Sequence, residues 1–250
     1  MIASSVDAET RRTQLHALLE RDGSLILTDA AEAYGVSEMT IRRDLFEMEQ
    51  AGLARRVRGG AVAVGPQLFQ RRQQKEAEAK RIMALKMLPL LPKTGAIAMD
   101  ASSTVHRLAV EMPAADLTVL VSGVEAFSVL STKAEIRAIL SGGELERTTG
   151  ALVGPVAQRT IRDFVFTRAF ISPTCIDAEL GATESTADGA EVKRTMRLAT
   201  RSLVVAADST KLNEAATARS LELADIDILV TELDPADPAL DAFRGHVELL

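Results

Sequence analysis

Residues 36–62 read VSEMTIRRDLFEMEQAGLARRVRGGAV. Ser37 is a good helix N-cap, because its hydroxyl accepts a hydrogen bond from an amide of the first turn. After it, Ile41, Leu45 and Met48 recur at helical spacing and form one apolar stripe. With that stripe turned inward, Glu38, Met39, Thr40, Arg42 and Arg43 lie on or beside the outward surface. Gly52 ends the helix. Residues 53–64, LARRVRGGAVAV, are β-prone and split by Gly59-Gly60, as a hairpin requires.

The preceding stretch supplies the other half of a helix-turn-helix. From Thr13, the residues Leu15, Leu18 and Leu19 give a first helix that Gly23 ends, with the start at Glu9, Arg11 and Arg12 expected to fray. Leu25 and Ile26 are a short extended piece. Thr28 caps a short helix over DAAEAY at 29–34, and Gly35 supplies the turn. Ala30, Ala31 and Ala33 are small enough for close helix packing. The motif therefore spans about residues 25–44, with the second helix presented outward.

Arginine binds guanine edges bidentately or grips phosphates as a planar fork. Arg42 and Arg43 therefore suit a recognition helix, and Arg55, Arg56 and Arg58 suit a wing against the flanking backbone. Paired arginines on an amphipathic helix are also compatible with a plain solvated face, with Asp44 and Glu47 as their partners. The ordered set is more specific than any one part: small-residue helix, glycine turn, capped helix with paired arginines, basic hairpin.

Composition narrows the class. Across 250 residues the net charge is −6, which argues against a protein that coats nucleic acid nonspecifically and leaves room for a local basic patch. A single cysteine, Cys175, excludes an intramolecular disulfide or a cysteine-based zinc cluster, and fits a reducing cytosol. His16, His106 and His246 lack metal-ligand spacing. No cofactor is expected. The N-terminus lacks a signal-peptide pattern, and no stretch is long and uncharged enough for a bilayer span, so a cytoplasmic protein is expected.

Gly65-Pro66 punctuates the chain, and QLFQRRQQKEAEAKRIMALKML at 67–88 reads as a connecting helix. Beyond Pro92, apolar runs of strand length (AIAM, LTVLVS, IRAIL, FVFTRAFIS, SLVVAA, DILVT) alternate with helical patterns. That alternation predicts a parallel α/β sheet covered on both faces. The expected organisation is a winged helix-turn-helix domain at 1–64, a linker helix at 65–92, and a Rossmann-like sensing domain at 93–250. DPADPALD at 234–241 reads as a turn-rich surface segment.

In such sheets ligands sit beyond the C-terminal ends of strands. Asp100, Ser102, Ser103 and Thr104 follow AIAM and enter a helix. Ser122 follows LTVLV, Gly142 and Gly143 follow IRAIL, and Lys211 follows SLVVAA. Hydroxyls at a helix start favour an anion, with Lys211 as a point charge and Asp100 as an acceptor for sugar hydroxyls. Ordinary helix capping explains the same hydroxyls without a ligand.

The stretch VSEMTIRRDLFEMEQAGLARRVRGGAV resembles the signature of DeoR-type regulators, in which a V-S-x-x-T-I-R-R-D-L helix leads into a wing ending in G-G-A. This resemblance implies that Ser37, Thr40, Arg42 and Arg43 face DNA. The pieces DASSTVHRLA, LSGGELERTTGALVGP, CIDAELGATE, AEVKRTM and ADSTKL are similar to the DeoR-type sensor domain, related in fold to ribose-5-phosphate isomerase. The family's ligand positions map to Asp100, Ser102, Ser103, Thr104 and Lys211, with Gly142, Gly143, Asp177, Glu191 and Lys193 as further members. The chain departs from the family pattern at Ser122-Gly123, where Thr-Asn is usual. It departs again at Ser172-Pro173-Thr174-Cys175, where a glycine-rich turn is usual.

The expected function is a DNA-binding regulator, not an enzyme. It would repress a carbohydrate or polyol operon and leave its double-stranded operator when a small phosphorylated metabolite binds. A homodimer or homotetramer is expected, because paired half-sites multiply affinity. The rival reading is a sugar-phosphate isomerase with an accessory DNA-binding domain, using Asp177, Glu191 and Lys193 as acid-base groups.

Overall fold

The computed structural model describes residues 8–51, 53–63 and 69–250, and the chain divides into two compact units between Arg71 and Arg72. The expected closing Gly52 and the Gly65-Pro66 break lie outside the described residues.

In the N-terminal unit, helix α1 (Ala8–Asp22) leads through strand β1 (Ser24–Ile26) to helices α2 (Leu27–Tyr34) and α3 (Glu38–Gln50). Strands β2 (Ala54–Val57) and β3 (Gly60–Ala63) form the hairpin, and β3 lies centrally in the antiparallel order β1-β3-β2. The core is Leu15, Leu19, Ile41, Leu45, Met48, Ala54 and Ala61, all essentially buried. Gly35 ends α2 with a left-handed backbone (φ 62°). Gly60 is required by packing, since a Cβ there would stand 1.8 Å from the Leu25 carbonyl oxygen of β1.

Two local expectations are corrected here. Helix α1 does not fray at its start: Arg11 is buried and its Nε donates to Asp44 Oδ2 at 2.6 Å. A long-range ion pair holds a turn whose own sequence gives no such signal. Thr28 is not a cap, because α2 begins at Leu27 after Ile26, which makes no side-chain cap. Buried Leu27 draws the first turn into the core.

The connecting segment forms two helices, α4 (Phe69–Gln74) and α5 (Ala77–Met87), not one. The break has a specific cause. The Lys80 ammonium donates to the carbonyl oxygens of Arg72, at 2.5 Å, and Lys75. Those acceptors would otherwise serve the next helical turn. Glu76 takes a left-handed backbone (φ 50°) at the corner. Met83, Ala84 and Met87 of α5 then enter the core of the second unit.

That unit continues with β4 (Gly95–Met99), α6 (Ser103–Glu111), β5 (Leu117–Val121), α7 (Val124–Leu130) and β6 (Ile136–Leu140). A hairpin, β7 (Glu144–Glu146) and β8 (Ala151–Val153), precedes α8 (Gly154–Arg162) and β9 (Arg168–Ile171). Strands β10 (Cys175–Asp177) and β11 (Gly181–Glu184) lead to α9 (Ala187–Ala199) and β12 (Leu203–Ala206). The chain closes with β13 (Ala218–Leu221), β14 (Ile228–Val230) and β15 (Glu248–Leu249). The main sheet has seven strands in the order β15-β14-β12-β9-β4-β5-β6, and every pairing in it is parallel. Helices cover both faces over two aliphatic cores. A second small antiparallel sheet, β10-β11-β13, flanks it. DPADPALD is not all surface, since Leu240 on its short 3-10 turn is fully buried.

The strand order fixes where a ligand site falls. From β4 the chain builds outward through β5 to β6, then returns to place β9 on the other side of β4. The crevice outside the C-terminal ends of β4 and β9 is therefore the topological switch point.

Candidate nucleic-acid interface and effector site

Helix α3 carries the first constellation. Ser37 accepts from the Thr40 amide at 3.2 Å, and the Ser37 and Thr40 hydroxyls lie 3.0 Å apart. Asp44 is buried and faces Arg11 and Arg12, not the arginines beside it. This frees the outward face. Arg42 is exposed and loosely paired with Glu38 at 3.5 Å. Arg43, Arg55 and Arg58 are exposed and make no ion pair among the described residues. Arg56 differs: its Nε donates to Glu49 at 2.7 Å, and its guanidinium stacks over the Phe46 ring at 5.0 Å. It braces the hairpin against α3. Met39 is also exposed on this face, at 71%.

The second constellation stands at the switch point. Asp100, just past β4, is buried and has both oxygens engaged. Its Oδ1 accepts from the Ser102 amide at 3.0 Å and the Ser102 hydroxyl at 2.5 Å. Its Oδ2 accepts from the Ser172 amide at 2.9 Å and pairs with Lys193 at 3.2 Å. Asp100 thus ties β4, β9 and α9 together and shapes the loop, with both oxygens in contact with protein donors. Ser102 caps α6, its hydroxyl accepting from Val105 N at 3.2 Å. The first-turn amides of Ser103 and Thr104 have no helical acceptor, as at any helix start.

Lys211 reaches this turn. Its ammonium donates to the Ser172 hydroxyl at 2.9 Å and the Pro173 carbonyl at 2.8 Å, and Ser172 Oγ lies 3.3 Å from Thr104 Oγ1. No carboxylate lies within 4 Å of it among the described residues. Burial pushes its pKa below the ordinary lysine value, although Asp208 and Glu184 pull the other way. Pro173, in the segment that departs from the family pattern, supplies the carbonyl that holds Lys211.

The remaining predicted residues separate into two groups. Ser122, Gly142 and Gly143 sit at the ends of β5 and β6 next to this crevice. Ser122 is buried, and its backbone pairs with Met99 and Leu152. Gly143 is left-handed (φ 111°), and a Cβ there would fall 2.4 Å from the Val153 carbonyl oxygen. At Gly123, where the family pattern has Asn, a Cβ would stand 2.8 Å from Ala101 Cα. The missing side chain lets the Asp100–Ser102 loop pack closely on β5. Asp177 caps the β10–β11 turn, accepting from the Glu179 and Leu180 amides at 2.8 Å each. Glu191 pairs with Arg194 at 2.7 Å and with Arg162 at 4.0 Å, away from the Lys193 cluster. The structure does not gather Asp177, Glu191 and Lys193 into one acid-base set.

One member was missed by sequence reasoning. Glu184, at the end of β11, is buried, and its Oε2 lies 3.0 Å from Lys193 and 3.3 Å from the Thr174 hydroxyl. Burial raises its pKa, against the pull of Lys193. Burial lowers the Lys193 pKa most, but Glu184 and Asp100 outweigh it and hold the ammonium charged. The signal available in sequence was a glutamate closing a short strand of small residues, GATE.

These features define a winged helix-turn-helix regulator with a ligand-sensing α/β domain. Residues 11–67 match the DeoR-like helix-turn-helix domain and residues 75–233 match the DeoR C-terminal sensor domain, so the chain belongs to the DeoR family of DNA-binding transcriptional regulators. It is 31% identical over 222 residues to the HTH-type transcriptional repressor GlcR of Bacillus subtilis, covering 86% of this chain and 85% of that protein. It is 26% identical over 251 residues to the lactose phosphotransferase system repressor of Streptococcus mutans, covering 97% and 98%. Among solved structures it is similar to ribose 5-phosphate isomerase A from Neisseria gonorrhoeae, at 13% identity and a TM-score of 0.38 over 53% of this chain and 52% of that one. No described helix is long and apolar enough to cross a membrane.

Proposed function

We propose that this regulator represses a carbohydrate or polyol operon in the cytoplasm. It binds a paired operator as a homodimer or homotetramer and is released by a small phosphorylated metabolite. Arg42 and Arg43 of α3 enter the major groove, with Ser37 and Thr40 on the phosphate backbone and Arg55 and Arg58 reaching the flanking strand from the wing. The metabolite's anion binds between Lys211 and the first turn of α6, on the Ser103 and Thr104 amides and hydroxyls. The chain works as a switch and not as an isomerase. The relatives support this reading, since both are named repressors and one is named for the lactose phosphotransferase system.

The observation that carries it is Lys211. A partly buried ammonium held only by neutral oxygens, beside unused helix amides, is a charge in want of an anion. The test is a thermal-shift and gel-shift screen of phosphorylated sugars and polyols on the wild type and Lys211→Met. The gel-shift probe is the intergenic DNA beside the protein's own gene. An effector should raise the melting temperature of the wild type and loosen its DNA complex, and Lys211→Met should lose both responses. A Lys211→Met protein that responds like the wild type would refute the anion site.

A further inference from the structure

We infer that Glu184 selects a hydroxyl on the effector, so that the ligand is recognised as a hydroxylated anion and not by its anion alone. The inference rests on the proposed anion site at Lys211 and deepens it. Its carrying observation is an orphaned oxygen. Glu184 is 6% exposed, and its Oε1 is buried with no hydrogen-bond partner among the described residues. A buried carboxylate oxygen left unpaired is costly to keep. The fold does not need this one to neutralise Lys193, which Asp100 already reaches at 3.2 Å.

Among the described residues no side-chain donor lies within hydrogen-bond distance of that oxygen. On the same strand the Thr183 hydroxyl is engaged, facing the Cys175 carbonyl at 3.4 Å and accepting from the Ala216 amide at 2.8 Å. Thr174 and Lys193 are both taken up by Oε2.

A continuous path of polar contacts joins this oxygen to the anion site. It runs from Glu184 to Lys193 at 3.0 Å, Lys193 to Asp100 at 3.2 Å, Asp100 to the Ser172 amide at 2.9 Å, and the Ser172 hydroxyl to Lys211 at 2.9 Å. The two ends differ in character. Lys193 has two carboxylates in direct contact, whereas Lys211 has none within 4 Å among the described residues and feels Asp208, Glu184 and Asp100 only from farther away. A ligand is thereby oriented with its anion at Lys211 and a neutral donor at Glu184. An ammonium on the ligand is the rival donor for this oxygen, since Lys193 with Asp100 and Glu184 carries an excess of negative charge, and the probes below separate the two. Such a built-in acceptor discriminates strongly against analogues that lack the donor.

The test uses the full chain and three probes of similar size: glycerol 3-phosphate, n-propyl phosphate and O-phosphoethanolamine. Calorimetric titration of the wild type should show glycerol 3-phosphate binding about tenfold tighter than propyl phosphate, roughly 1.4 kcal/mol. Glu184→Met should bring that ratio close to one while propyl phosphate affinity stays within about twofold. Should that variant not fold, Glu184→Gln carries the test, with a smaller fall in the ratio.

A wild-type ratio of one, or a ratio untouched by either substitution, overturns the inference. Tighter binding of O-phosphoethanolamine than of glycerol 3-phosphate overturns it in favour of a cationic group. Lys211→Met separates the two readings. If it loses both phosphates while Glu184 leaves the ratio unchanged, only the hydroxyl inference falls. If it binds both like the wild type, or if the wild type binds neither, the anion site falls and the inference with it.

Discussion

Arg43 on α3 and Lys211 after β12 are both cations with no carboxylate within 4 Å among the described residues, yet they stand in opposite surroundings. Arg43 is exposed and unbraced. Lys211 is partly buried and held by two neutral oxygens. An exposed guanidinium acts on a polyanion over the Debye length, about 8–10 Å at ordinary salt, and its effect weakens as salt rises. A withdrawn ammonium is screened less by salt, so it answers to the fixed carboxylates Asp208 and Glu184 and to any anion placed against it. On the proposed function, the same unit charge would read DNA in one unit and sense a small anion in the other. What converts one into the other is the fold around it.

Three experiments bear on that contrast. The largest effect is expected where the N-terminal unit itself buries a charge. Asp44→Ala removes the buried carboxylate that Arg11 and Arg12 both face, which should cost about 3–5 kcal/mol of that unit's stability. The chain has one tyrosine and no tryptophan, so Tyr34 fluorescence in urea follows this unit alone. A loss below about 1 kcal/mol would mean that the Arg11–Asp44 pair is no more than a surface contact.

An intermediate effect is expected at Lys80, whose pKa burial and nearby Lys211 lower to about 8. An unfolded chain binds that proton up to about pH 10.5. The folded form thus binds fewer protons between the two values, and stability should rise with pH from about 8 to about 10.5. The gain is at most about 3 kcal/mol and less once solvent screening is counted. It is lost as pH falls through 8. Urea unfolding of wild type and Lys80→Met across that range should show a steeper slope in the wild type, the remainder coming from other buried lysines such as Lys211. Equal slopes would remove Lys80 from the set of withdrawn cations.

The smallest effect is expected at the exposed end of the comparison. Arg43→Ala should weaken operator binding by about 1–3 kcal/mol and lower the salt slope if the contact is to phosphate, with the melting temperature unchanged. Unaltered affinity in a gel-shift titration would exclude Arg43 from the interface.

How much was legible in the sequence differs between the two units. In the first, local rules sufficed for most of the motif: Ser37 caps, Gly35 turns, and Ile41, Leu45 and Met48 bury one stripe. Each of those effects acts within a few residues. They failed at the start of α1, where the Arg11–Asp44 contact spans 33 positions, and at the 75–76 corner, where Lys80 takes carbonyls from the preceding turn. In the second unit, the strands and most strand-end residues were readable because buried parallel strands are almost continuously apolar. Their lateral order was not readable, because backbone ladders carry no side-chain code for which strand lies beside which.

The sequence by itself determined the class of protein, the recognition helix and the hydroxyl-bearing strand ends, since capping, periodicity and composition act locally. Only the tertiary structure decided that β9 returns beside β4, that Asp100 is consumed in holding that junction, that Glu191 belongs to the surface, and that Glu184 keeps a buried oxygen unpaired. Those outcomes depend on which distant side chains share one low-dielectric crevice, and that proximity exists only once the sheet has assembled.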